Sequence, residues 1–98
     1  PVFNGHSEAV WIETREPLSA PAFRALLEAE AGITVVDDAA AMEYPTARQA
    51  SGRDGVLVGR IREDLGAPNG LACWVVADNL RKGAASNAVD IAQLLLAS

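Results

Sequence analysis

The chain has 98 residues, half of them hydrophobic and 21% charged, with a formal net charge of −5. That is the length of one domain or part of one, and the acidic balance argues against nucleic acid as a partner, because phosphate binding needs a basic face. The single cysteine, Cys73, leaves no internal disulfide framework, no apolar run approaches the ~20 residues of a membrane span, and no signal-peptide order is present, so the expected setting is the cytoplasm, with no membrane partner.

In chain order, residues 8–14 (Glu-Ala-Val-Trp-Ile-Glu-Thr) read as a strand rich in β-branched and aromatic side chains. Pro17 breaks it, and Ser19 caps a helix that tolerates Pro21 in its first turn. Phe23, Leu26, Leu27 and Ala31 recur at helical spacing, and Gly32 suits the stop. Residues 33–37 form a second strand. Residues 38–54, punctuated by Pro45 and Gly52, read as a long loop of the kind that is functional or interfacial. Residues 56–62 form a third strand, on which Arg60 and Arg62 alternate to one face. Pro68-Asn69-Gly70 turn the chain into a fourth strand, residues 71–77, apolar enough to be buried on both faces. Asp78 or Asn79 then opens a helix to about Ala97, with Leu80, Ala84, Ala88, Ile91 and Leu95 spaced by threes and fours. The order predicts an α+β fold: a mostly antiparallel sheet with one packed helix, plus a C-terminal helix that is free to dock elsewhere.

Chemistry concentrates at the two ends of the chain. His6 is the only histidine, and an imidazole gives and takes a proton near neutrality. Gly5 allows a sharp turn before it. Glu8 shares its face if both are in extended structure, where a carboxylate can orient the ring. Without a nucleophile the pair is incomplete. Cys73 does not supply one, because it lies in a predicted buried strand and packs as a small hydrophobe. Asn79 carries an amide suited to recognising another amide, or else it serves only as a cap. Arg81 and Lys82 sit by the free amides of a first helical turn, and Gly83-Ala84-Ala85 allow close approach. Asp37-Asp38 lack a second ligand cluster, so no metal site is expected. Trp11 and Trp74 read as core or interface.

Three segments in this order carry a resemblance. Pro1-Val2-Phe3-Asn4-Gly5-His6-Ser7-Glu8, Val58-Gly59-Arg60-Ile61-Arg62 and Asp78-Asn79-Leu80-Arg81-Lys82-Gly83-Ala84-Ala85 resemble the C-terminal part of the aspartate-semialdehyde dehydrogenase family, and Tyr44-Pro45 and Val35-Val36-Asp37-Asp38 fit it as well. The resemblance implies a fragment of a larger enzyme, consistent with a chain that starts at Pro1 without an initiator Met. The implied parent oxidises NADPH as it converts 4-aspartyl phosphate to L-aspartate 4-semialdehyde and releases phosphate, feeding lysine, threonine, methionine and diaminopimelate synthesis.

By that resemblance, residues 1–78 are part of a catalytic and dimerisation domain, and residues 79–98 are a C-terminal helix that docks on an upstream nucleotide-binding domain. His6 takes the place of the acid–base histidine that serves a catalytic thiol, and Asn79 the place of a residue contacting NADP. The substrate-carboxylate arginine falls just before Pro1. The nucleophilic cysteine, the phosphate-binding Arg and Lys and the glycine-rich nucleotide loop lie further upstream. The expected partners are the upstream part of the same protein, aspartate semialdehyde or aspartyl phosphate with phosphate, and further copies in a homo-oligomer, a dimer or dimer of dimers. The chain alone is expected to be inactive. The alternatives are an N-acetyl-glutamyl-phosphate reductase-like relative and a stand-alone α+β dimerisation module.

Overall fold

A computed structural model describes residues 2–97. Pro1, which begins the first of the three segments, and Ser98, which ends the predicted C-terminal helix, lie outside the described residues.

Alternating and apolar runs give strands β1 (His6–Glu13), β2 (Ile33–Val35), β3 (Val56–Glu63) and β4 (Gly70–Ala77), in one sheet of order β1-β4-β3-β2. The β1–β4 and β3–β4 pairs are antiparallel and β2 runs parallel to β3, so the sheet is mostly antiparallel as expected. β4 is central, which explains its continuous apolar run: Leu71, Ala72, Cys73 and Val76 are buried.

Helix α1 (Ala20–Ala29) starts where Ser19 Oγ accepts from the Ala22 N–H at 3.2 Å. It carries the chain across the sheet from β1 to β2 and packs on β2 and β3. Its Arg24 reaches Asp37 by a 3.0 Å ion pair from Nη1. The loop over residues 38–54 holds one helical turn that its periodicity does not announce, α2 (Ala47–Ala50). A reciprocal cap makes it: Thr46 Oγ1 accepts from Gln49 N, and Gln49 Oε1 accepts from Thr46 N. Ala47 and Ala50 of α2 pack on Leu57 and Val76, with Val36 and Trp74 against them, and this cluster is the core. Trp74 Nε1 donates to the Pro45 carbonyl at 3.0 Å and fixes the loop to the sheet.

The regular alternation expected for Arg60 and Arg62 is interrupted. Gly59 pairs with Trp74 and Arg62 with Ala72, so β3 has one residue more than β4 in the interval. Arg60 takes a left-handed conformation, φ 54°. The Asp37 carboxylate accepts from the Arg60 and Ile61 amides at 3.0 and 3.2 Å and holds this bulge. Asp37 thus serves the backbone, and among the described residues no group of three or more His, Cys, Asp or Glu side chains is placed to hold a metal.

After β4 the chain turns at Asp78, makes a π-helical turn (Arg81–Ala85) in which Ser86 N donates to the Arg81 carbonyl, and continues as α3 (Ser86–Ala97). No residue of α3 is buried; Ile91, Leu95 and Leu96 are 51%, 72% and 86% exposed. No described helix is long and apolar enough to cross a membrane.

Candidate functional site

The strand order brings the two chemical segments together. β1 and β4 are antiparallel with His6 opposite Ala77 and Glu8 opposite Val75, so the start of β1 meets the end of β4, just before Asn79. Paired residues of neighbouring strands share a face, and so do residues two apart. His6, Glu8, Val75 and Ala77 therefore lie on one side of the sheet.

His6, Glu8, Val56, Val75, Ala77, Asn79, Lys82 and Gly83 line a common pocket of about 170 Å³. This places both predicted site residues, His6 and Asn79, in one wall. Gly5 precedes His6 with φ +91°, a conformation that glycine adopts without strain, and a side chain there would press on the Ala77 carbonyl. His6 and Glu8 are both exposed, and no hydrogen bond joins them. The ring-orienting contact expected from their spacing is thus not made among the described residues. The Asn79 side chain also has no hydrogen-bond partner among them.

Asp78, not Asn79, holds the turn that leads into the π-helical segment. Asp78 Oδ1 accepts from the Leu80 N–H at 3.1 Å, and its carbonyl accepts from the Arg81 and Lys82 amides. Asp78 Oδ2 accepts from the Gly52 N–H at 2.8 Å and from Asn4 Nδ2 at 3.4 Å. Asn4 donates also to Ser51 Oγ at 3.1 Å. The N–H of Gly52, then those of Leu80 and Asn4, hold the Asp78 carboxyl below its ordinary range against the opposing effect of burial. Sequence reasoning saw Asp78 only as one of two possible caps. Its reach to Asn4 and Gly52 spans 74 and 26 positions, and no local pattern carries it.

The first turns of the C-terminal segment are tied down by charge. Asp54 Oδ1 accepts from Arg81 Nη1 at 2.9 Å and from Ser86 Oγ at 3.0 Å, and Arg81 leads in holding the Asp54 carboxyl below its usual value. Lys82 pairs with Asp90 at 3.2 Å, so the cation at the pocket rim is anchored.

Cys73 lies outside this pocket and is 4% exposed, and burial pushes its thiol up, away from the reactive thiolate. Larger hollows lie elsewhere; those of about 500 and 300 Å³ are lined by no histidine, cysteine or lysine, and two more bear on the comparison. One of about 580 Å³, between the start of α1 and the β3–β4 turn, is lined by no histidine, cysteine, lysine or arginine. The other, about 440 Å³, lies beside Trp74, Tyr44, Arg60 and Arg62 on the opposite side of the sheet from His6. Both arginines line it despite the bulge. With one imidazole, one free carboxamide, one carboxylate and one anchored cation, the small pocket has the better chemistry. It can move a proton and grip an amide or an anion, but it holds no nucleophile.

Comparison with known proteins matches these features to one family. Residues 1–82 match the family model for "Semialdehyde dehydrogenase, dimerisation domain". An aspartate-semialdehyde dehydrogenase of Legionella pneumophila is 56% identical over 96 residues, covering 97% of this chain and 28% of that protein. One from Aquifex aeolicus is 51% identical, covering 98% of the chain and 28% of the relative. Among solved structures, aspartate semialdehyde dehydrogenase II of Vibrio cholerae, complexed with ASA, superposes with a TM-score of 0.89 at 49% identity over 99% of this chain and 28% of that one. The chain therefore spans about 28% of the length of these relatives.

Proposed function

The chain belongs to the semialdehyde dehydrogenase family, matching its dimerisation domain, and we propose that it is the C-terminal part of an NADP-dependent aspartate-semialdehyde dehydrogenase acting between 4-aspartyl phosphate and L-aspartate 4-semialdehyde. One observation carries this reading: His6 and Asn79, far apart in the chain, line the same pocket. In the reading, His6 is the acid–base group. Its imidazole takes the proton of a thiol supplied from upstream and returns it as the covalent intermediate forms and breaks down. Asn79 offers both a donor and an acceptor to the carboxamide of the nicotinamide.

The residues present fit one end of the cofactor. The free amide of Asn79 suits it chemically, but a pocket of about 170 Å³ is smaller than the ~300–1,000 Å³ of sites that enclose a ligand. The remainder of the cofactor belongs to the upstream part of the protein. When bound, the cofactor supplies the hydride acceptor or donor.

In the same reading residues 1–78 serve catalysis and pairing of subunits, and residues 79–98 dock on the nucleotide-binding part. The unburied face of α3 supports the second assignment, as does the end of the family match at Lys82. Exposed Trp11 and Tyr44, 63% and 48% accessible, support a homo-oligomer, a dimer or dimer of dimers, formed through this domain.

The test is the reverse reaction of the parent protein, followed by NADPH absorbance with aspartate semialdehyde, phosphate and NADP. General acid–base catalysis contributes about 10²–10⁴-fold, so His6→Ala should lower kcat by at least about a hundredfold. The 98-residue chain alone should be silent. Full activity of the variant removes His6 from the mechanism, and activity of the isolated chain overturns the proposal.

A further inference from the structure

Asp78 is the buried charged residue of the described chain, 4% exposed. One carboxylate oxygen, Oδ1, closes a local turn by accepting from the Leu80 N–H. Oδ2 is engaged elsewhere, by Gly52 N at 2.8 Å and Asn4 Nδ2 at 3.4 Å. One side chain thus ties three segments: the one that ends in His6, the turn that follows α2, and the one that begins with Asn79.

The two pocket residues depend on this tie in different ways. Neither His6 nor Asn79 has a side-chain hydrogen bond among the described residues, so their placement rests on the backbone that carries them. Asn79 follows Asp78 directly, and its turn is held by the Asp78–Leu80 bond. His6 stands two residues after Asn4, with Gly5 at φ +91° between them. His6 opens β1 and is held on that side by its pairing with Ala77; on the other side a glycine link is soft, and the bonds of the Asn4 side chain hold the segment that enters it.

We propose that Asp78 is a positioning residue, setting the spacing between His6 and Asn79 by holding the Asn4 side chain with one oxygen and the Leu80 amide with the other. The inference rests on the catalytic reading of His6 and Asn79 given above. Its two arms separate kinetically. The Asn4 arm acts on His6 alone, and therefore on kcat. Asp78 itself acts on both residues, and therefore on kcat and on the KM for NADP.

The experiment uses the full-length parent enzyme, with steady-state kinetics and thermal unfolding for Asn4→Ala, Asp78→Asn, Thr46→Ala and His6→Ala. A misplacement of 1 Å costs up to about a hundredfold in rate, so on that scale Asn4→Ala should lower kcat about tenfold and leave the KM for NADP within about twofold. Asp78→Asn replaces one acceptor by a donor facing an N–H, and should lower kcat by about as much while also raising that KM. Thr46→Ala, which breaks only the cap of α2, should lower Tm and leave both constants unchanged. If Asn4→Ala and Asp78→Asn lower Tm alone, as Thr46→Ala does, the positioning role is overturned while the catalytic reading stands. Asn4 also donates to Ser51 Oγ at 3.1 Å, so should Asp78→Asn fail to fold, Asn4→Ala is read against Ser51→Ala: a fall in kcat that Ser51→Ala does not reproduce supports the Asp78 arm, and an equal fall in both overturns it. An active His6→Ala enzyme removes the underlying reading, and the inference with it.

Discussion

At the scale of single residues, the acid sensitivity of the site follows from Asp78. Its carboxyl is held below the usual range, chiefly by the Gly52 N–H. In the unfolded chain an aspartate titrates near ~3.9. A depressed folded value means that the carboxylate's contribution is fully present above that pH and is lost as pH falls through the folded value. Asn is close in shape to a protonated Asp, so Asp78→Asn should destabilise the parent most near neutrality. The urea midpoints of variant and wild type should then converge as pH drops below about 3.9, the unfolded value. A gap that widens on acidification would show that the charge of Asp78 is a burden on the fold. The inert packing of Cys73 was legible from its apolar strand, whereas residue type and local setting only singled out His6 and Asn79 as candidates, and their proposed roles came from the family resemblance. Asp78 was legible only as a cap, because its partners Asn4 and Gly52 are brought to it by the tertiary fold.

At the scale of elements, patterns of period two and of three to four residues located β1, α1, β3 and β4, and the core strand β4 announced itself by its unbroken apolar run. Two local features escaped periodicity for physical reasons. α2 is a single turn of four residues, too short for an amphipathic repeat; its signature was the Thr46-x-x-Gln49 box, which a search for capping boxes would have found. The bulge in β3 depends on Asp37, more than twenty positions away, supplying an acceptor to two amides that the β4 ladder leaves unpaired. A hydrogen bond to a charged group contributes about 1.5–3 kcal/mol. Asp37→Ala releases both amides and the Nη1 ion pair of Arg24, while Arg24 keeps the Asp37 carbonyl and Glu28, so it should destabilise the parent by about 2–4 kcal/mol on the same scale. Hydrogen exchange is the specific readout: the Arg60 and Ile61 amides should exchange faster, while those of β1 facing β4 keep their protection. Equal loosening of all strands would mean that Asp37 supports the sheet at large and not the bulge.

At the scale of the whole molecule, the sheet order decides what the ends of the chain can do. β1 inserts next to β4 and not next to β2, its neighbour in sequence, and this pairing brings His6 near Asn79. No local pattern specifies such a pairing, because the partners lie at opposite ends of the chain. The C-terminal helix poses the converse problem. Its apolar spacing was legible, yet no residue of α3 is buried among the described residues: Ile91 and Leu95 remain 51% and 72% exposed, and α3 packs chiefly on the π-helical turn before it. An apolar helix face left in water forgoes the stabilisation that burial gives, about 1.5–3 kcal/mol for each fully covered leucine or isoleucine. Docking on the nucleotide-binding part of the parent would recover it. Leu95→Asp should then destabilise the parent by at least about 2 kcal/mol, counting lost burial alone, as read from the urea midpoint. It should also raise the KM for NADP, because a helix levered off that part would carry Asn79 with it. A surface substitution away from any contact stays within about ±0.5 kcal/mol. A Leu95→Asp parent inside that range, with an unchanged KM, would leave α3 undocked and detach residues 79–98 from the nucleotide site.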